Sequence, residues 1–189
     1  MAEVKKSSRR KQDILKAVIE ALNQHDYTHL TIEDIAVRAG VGKSTIYRWW
    51  GHKSELVFEA FKENTLTIFD LDYEKSLKVN LKVQLIKLSL VLQTSIGRAL
   101  LVVLAEHREA AGNFFQQYLI PRRELIHKLI EISVKRNEIR KDYSFNIMLD
   151  MLYATVHYQI IFFNRVPDET YIDQLVDLAI QPALTPASM

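Results

Sequence analysis

Residues 43–49, Lys-Ser-Thr-Ile-Tyr-Arg-Trp, gather two cations, two hydroxyls, a phenol and an indole in one short run. Their outward face offers Lys43, Ser44, Thr45, Tyr47, Arg48 and Trp49. These are donors for phosphate oxygens, donors for base edges, and planar groups that lie against a sugar or a base. Nucleic-acid recognition draws on that mixture, because contacts to phosphate fix the register and contacts to base edges carry the sequence. A helix buried in a core is not so polar, and an ordinary surface helix rarely exposes Tyr and Trp together. The plain alternative is an αα-hairpin whose aromatic rings pack on a neighbour.

The overlapping run Gly40-Val-Gly-Lys-Ser-Thr45 spells the second half of a phosphate-binding loop. The full pattern needs a glycine five residues before Gly42 and a strand leading into it. That position is Val37, and residues 32–39 read as a helix, so no nest of backbone N–H groups can form around a nucleotide. Other chemistry is no better supported. His25 and His29 fall on a connector without the carboxylate-histidine pattern of a zinc site. No Gly-x-Ser-x-Gly elbow occurs, and the absence of cysteine removes thiol nucleophiles, disulfides and cysteine-zinc sites. No enzyme activity, metal or cofactor is expected.

The elements that must hold residues 43–49 in place are helical. Ile14, Leu15, Val18, Ile19 and Leu22 make one apolar stripe over 9–24. Residues 25–29 break that period. Thr31 opens a second helix, with Asp34 three residues on in a variant capping box. Gly40 stands where a tight turn asks for left-handed backbone, which glycine adopts without steric cost. Gly42 serves as N-cap of a third helix, about 43–50. Ala36 is small enough for that helix to cross closely, and Ile46 faces back onto Ile35 and Val41. Two helices joined by a short glycine-containing turn are a helix-turn-helix, here residues 31–50. A fourth helix follows over roughly 53–68, and Asp70–Glu74 read as a linker. Further helices fall near 76–92, 95–107, 112–137, 144–164 and 169–180. Pro121 should kink or split the third of these. Residues 1–7 and 182–189 are expected to be mobile ends.

The whole is an all-α chain of 189 residues with five glycines and four prolines, too few for a loop-rich sandwich or barrel. Residues 1–55 carry ten Lys/Arg against seven Asp/Glu, whereas the remainder carries fifteen against sixteen. A mildly basic head on a neutral body is compatible with nucleic acid but does not by itself demand it. Residues 144–164 hold 14 apolar positions in 21, interrupted by Asn146, Asp150, His157 and Asn164, and 96–105 is short and contains Arg98. Neither reads as a membrane span. The polar N-terminus lacks the apolar core of a signal peptide. A cytoplasmic protein is expected.

Residues 9–69 resemble the DNA-binding domain of the tetracycline-repressor (TetR) family. The resemblance is carried by Ile14–Leu22, by Thr31-Ile-Glu-Asp-Ile-Ala, and by Ala39-Gly-Val-Gly-Lys-Ser-Thr-Ile-Tyr-Arg-Trp-Trp-Gly-His-Lys-Ser-Glu-Leu56, with Gly40, Tyr47, Lys53 and Leu56 at the family's spacing. Gly97-Arg-Ala-Leu, Pro121-Arg-Arg-Glu-Leu and the terminal helices resemble one branch of its effector domains. Gly42 and His52 stand where the family usually carries Ser or Thr and often Ser. The resemblance implies that Thr31 and Lys53 contact phosphates, that Tyr47 lies against the backbone or a thymine methyl, and that Lys43, Ser44, Thr45, Arg48 and Trp49 face the groove. Arg9, Arg10 and Lys11 serve either as a basic arm or simply as a soluble end.

It further implies a division into a head (1–52), a connecting helix (53–69) and an effector-binding and dimerisation body (70–189). Helices 144–164 and 169–180 resemble the pair that forms a four-helix homodimer interface; completing the chain's own core is the alternative. Arg98, His107, Phe114, Tyr118, Tyr153 and His157 are the candidate lining of a pocket for a small-molecule effector of unknown identity. The expected function is a repressor that binds a palindromic operator in double-stranded DNA as a homodimer and is released by that effector. The rival readings are a helical small-molecule enzyme and an interaction module without sequence-specific DNA binding.

Overall fold

The computed structural model describes residues 2–185, and the side chains of residues 2–6, Thr67 and Phe69 are left aside. Ten α-helices account for most of the described residues, with no strand among them beyond an isolated antiparallel bridge between Ile139 and Leu184. The chain is all-α. No single helix among the described residues is long and apolar enough to cross a membrane.

Two compact units share the chain. The first runs to Thr65 and takes in Thr94–Tyr118; the second comprises Leu66–Gln93 and the chain from Leu119 onward. In the first, α1 (Ala2–Leu22) buries Ile14, Leu15, Ala17, Val18, Ala21 and Leu22 against α2 (Ile32–Arg38), α4 (Lys53–Asn64) and α6 (Ser95–Glu106). The short α3 (Lys43–Tyr47) packs on α2, and α7 (Arg108–Phe114) on α4 and α6. This unit therefore joins α6 and α7 to the residues expected to form the head and connecting helix.

The helix ends follow their local chemistry. Thr31 caps α2 by accepting from Asp34 N at 3.2 Å. The reciprocal arm of the capping box is given up, because the Asp34 carboxylate turns to Arg38 Nε at 2.9 Å. Gly40 takes φ +62°. Helix α3 ends at Tyr47, earlier than the expected Trp50, yet Trp50 N still donates to Ile46 O at 3.0 Å, so the turn continues past the helix proper. Helix α4 stops at Asn64 because Thr65 Oγ takes the Phe61 carbonyl at 2.8 Å, and only a 3₁₀ turn (Leu66–Phe69) follows.

In the second unit α5 (Leu77–Gln93) packs on α8 (Ile120–Lys135), α9 (Phe145–Phe163) and α10 (Glu169–Ile180). The chain is helical without a gap from Arg108 to Lys135, so Pro121, expected to kink or split the 112–137 stretch, does not interrupt it. A π-helical turn, Phe115–Leu119, precedes α8 and places Pro121 in its first turn, where a missing N–H costs nothing. Helix α9 closes on Asn164 in left-handed backbone, φ 50°. Two salt bridges, Lys82–Asp173 at 2.8 Å and Lys78–Asp177 at 2.5 Å, fasten α5 to α10.

The Gly40 turn yields a first expected result. A Cβ built there meets nothing within 4 Å, so the cost of Gly40→Ala is that of the left-handed backbone alone, about 1–2 kcal/mol. Urea denaturation should show that loss. An unchanged midpoint would mean the turn relaxes freely and does not hold α3 in place.

Candidate nucleic-acid interface

Helix α3 is anchored by one side chain and presents the others. Ile46 is fully buried with Ile35 and Ala36 of α2, and Val41 N donates to Ala36 O at 3.0 Å to close the turn. That anchor leaves Lys43, Ser44, Tyr47 and Arg48 exposed and Thr45 and Trp49 half-buried. Tyr47 keeps 54% of its surface in solvent, which excludes the hairpin whose aromatics pack inward. The two indoles divide the work. Trp50 is buried and meets the edge of Trp49 at 5.7 Å, while Arg48 lies over the Trp49 ring at 5.2 Å. A guanidinium stacked on a ring keeps its planar edge of donors for another partner.

The flanking residues hold this face in register. The exposed Thr31 hydroxyl accepts from Asp34 N and retains its own hydrogen to donate outward. Lys53 makes contacts within the chain that the sequence did not disclose. Its ammonium donates to Tyr27 O at 2.8 Å and Leu30 O at 2.9 Å and sits 4.3 Å from the centre of the Tyr27 ring. Lys53 thereby closes the α1–α2 connector onto the start of α4, and burial draws its pKa below the usual lysine range. One ammonium hydrogen remains for a phosphate. His52 caps α4 without a side-chain bond; Glu55 instead reaches back to Gly51 N at 2.8 Å. Lys11 spans Glu59 at 3.1 Å and the Trp50 ring at 5.5 Å.

Lys43 is paired with Glu33 at 2.7 Å. Hydrogen bonding between them lowers the Glu33 pKa and raises that of Lys43. Glu33 was not singled out in the sequence, although opposite charges in the first turns of two crossing helices were the signal. Gly40–Thr45 runs from a turn into α3 and is preceded by helix α2, so the nucleotide-loop alternative has no strand to stand on. His29 Nδ1 lies 2.8 Å from Asp26, and no group of three potential metal ligands occurs among the described residues.

The six candidate effector residues fall in both units. In the first, the Tyr27 hydroxyl meets His107 Nε2 at 3.0 Å beside a cleft of about 670 Å³. Arg98 borders a second cleft, about 420 Å³, against the end of α1. Phe114 and Tyr118 stack at 4.9 Å, and both present edges or tilted faces to Phe58 and Phe61. The Tyr118 hydroxyl meets Thr65 Oγ at 2.6 Å. In the second unit Tyr153 donates to Gln84 Oε1 at 2.7 Å, with burial pushing its pKa above the usual phenol value, and His157 Nδ1 meets Tyr153 O at 2.7 Å. The amide nitrogen of Gln84 is buried without a hydrogen-bond partner.

Comparison with known proteins bears on the fold and the family. Residues 14–60 match the family model described as bacterial regulatory proteins, tetR family, and residues 79–179 match that for the tetracyclin repressor-like C-terminal domain. An uncharacterized HTH-type transcriptional regulator of Mycobacterium tuberculosis is 28% identical over 184 residues, covering 94% of this chain and 89% of its own. The solved TetR family transcription regulator SCO0332 superposes with a TM-score of 0.74 at 23% identity, over 93% of this chain and 99% of its own. SmeT, repressor of the Stenotrophomonas maltophilia multidrug efflux pump SmeDEF, does so with 0.64 at 18%, over 95% and 92%.

Proposed function

The chain belongs to the TetR family of bacterial regulatory proteins, helix-turn-helix transcription factors rather than enzymes, and we propose that it is a ligand-released repressor acting in the cytoplasm on a palindromic operator. Regulators of this family bind DNA and act as dimers. One observation carries the reading: a polar and aromatic face on α3, held outward by Ile46 and the left-handed Gly40. A helix of this kind fits the major groove. Thr31 and Lys53 are its phosphate contacts, Tyr47 lies against backbone or a thymine methyl, and Lys43, Ser44, Thr45, Arg48 and Trp49 face the groove. Residues 1–52 read DNA, 53–69 connect, and 70–189 serve dimerisation and effector binding, with α6 and α7 packed in the reading unit.

The outer face of α9 supports a homodimer. Ile147, Met151, Ala154, Tyr158 and Ile161 are exposed at alternating spacings of four and three, the repeat of a helix seam, and exposed Phe162 and, on α10, Leu178 extend the apolar surface. A homodimer carries two reading helices, and a palindromic operator asks for them one DNA turn apart, ~34–36 Å. The effector reading rests on Tyr153 bonded to Gln84, whose buried amide nitrogen lacks a partner, with His157 one turn on in one unit, and on exposed Arg98 and His107 at two clefts together with buried Phe114 and Tyr118 in the other. A ligand drawing on His107 competes with Tyr27, and it shifts operator binding only by its differential affinity for the two arrangements. SmeT, which shares the fold, is named as a repressor, and that supports the sign.

Selection of binding sites from randomised duplexes, followed by gel-shift titration, tests the function. Arg48→Ala should lose about 1–3 kcal/mol of discrimination at one base pair, and Tyr47→Ala should weaken the selected site with helicity intact. Full-strength, fully discriminating binding by both variants would overturn the assignment. Turnover of a small molecule without salt-dependent DNA binding would favour the enzyme reading.

A further inference from the structure

The two cations of the presented helix are held in opposite ways. Arg48 lies on an aromatic face and keeps its charge. Lys43 is joined across the helix-turn-helix to the Glu33 carboxylate, and both side chains remain more than half exposed, at 54% and 63%. An exposed ion pair adds little to stability, so the fold has no need of it. Its consequence is electrostatic: the pair presents no net charge at the centre of a surface otherwise suited to DNA.

We propose that Glu33 is a specificity-determining residue, neutralising Lys43 so that this lysine reads base edges without adding to indiscriminate attraction for phosphate; the proposal rests on the DNA-binding reading above. Non-specific binding is essentially the release of counterions by cations placed on phosphates. A lysine that keeps its carboxylate partner brings no net charge to a phosphate and releases nothing. In the groove the same lysine loses little. An ammonium has three N–H donors, and with one on Glu33 two remain for guanine acceptors. Glu33 therefore penalises the wrong complex more than the right one, which is how specificity is gained through repulsion. Arg38 and Asp34, the neighbouring pair on α2, face each other and leave Glu33 to Lys43 alone.

The test is a double-mutant cycle of Glu33→Gln and Lys43→Gln on the full-length protein, with the selected site and a scrambled duplex titrated across a salt series. Glutamine keeps the length of Glu33 and its acceptor but not its charge. Glu33→Gln should steepen the salt dependence on scrambled DNA by about one phosphate contact, an extra three- to fourfold loss of affinity between roughly 50 and 200 mM salt. It should tighten scrambled DNA more than the selected site, so that the ratio between them falls. In the Lys43→Gln background the same change should do neither. An unchanged slope and ratio, or an equal effect without Lys43, would refute the proposal, the latter by showing a general charge effect. Failure of the parent protein to prefer any duplex would instead dispose of the DNA reading itself.

Discussion

Met151→Glu is expected to convert the protein from dimer to monomer and to abolish tight operator binding. In the single chain Met151 lies 56% exposed, midway along the apolar seam of α9. A two-fold axis along that stripe would bring the new carboxylate into it twice, among Ile147, Ala154, Tyr158 and Ile161. Burial of an unpaired charge costs several kcal/mol. A loss of about 4 kcal/mol raises the dimer Kd roughly a thousandfold. Analytical ultracentrifugation measures this directly. Val37→Glu, an exposed position on α2 outside the seam, should sediment as the parent does. If Met151→Glu stays dimeric at micromolar concentration, the seam lies elsewhere.

The exposed apolar stripe of α9 was half legible in advance. The all-round apolar character of 144–164 announced a helix covered on several sides, and the buried face of Leu149, Leu152, Val156 and Ile160 accounts for one of them. Which apolar residues of α9 stay exposed depended on how α5 and α10 pack, and no local pattern carries that. The reading helix was more transparent, because Gly40, Gly42 and the single inward Ile46 act within a few residues of one another. Lys53 shows the limit. The family resemblance pointed it to phosphate, but its carbonyl partners lie 23 and 26 residues away. Phe114 and Tyr118 were chosen as ring and hydroxyl four apart on one face, as found. Their partners Phe58 and Phe61 come from α4, a contact that periodicity does not reveal.

That contact carries the second large effect. Phe61→Ala should destabilise the protein by about 3–5 kcal/mol. The ring is 1% exposed and sits 5.6 Å from Tyr118 and 6.3 Å from Phe114, so truncation removes one wall of a four-ring cluster that joins α4 to α7 and the π-helical turn. A loss of this size is a large part of an ordinary folding free energy. Thermal and urea unfolding should both report it. Tyr118→Phe provides the comparison: it deletes only the hydroxyl that meets Thr65, while Thr65 keeps its bond to the Phe61 carbonyl, and about 1 kcal/mol is expected. Should the two substitutions cost the same, the cluster is loosely packed and α4 is not held by its rings.

The first unit is assembled from two separate stretches of chain, ending at Thr65 and resuming at Thr94. On the ribosome, a chain made only as far as Thr65 has the residues of α1 to α4 but lacks Phe114 and Tyr118, the ring partners of Phe58 and Phe61. At about 5–20 residues per second, roughly 3–10 s pass before Tyr118 is added. For that interval the two rings lack those partners, and the first unit, although begun first, is complete only when residue 118 has been made. A gene fragment cut after residue 65 would freeze the chain at that unfinished stage.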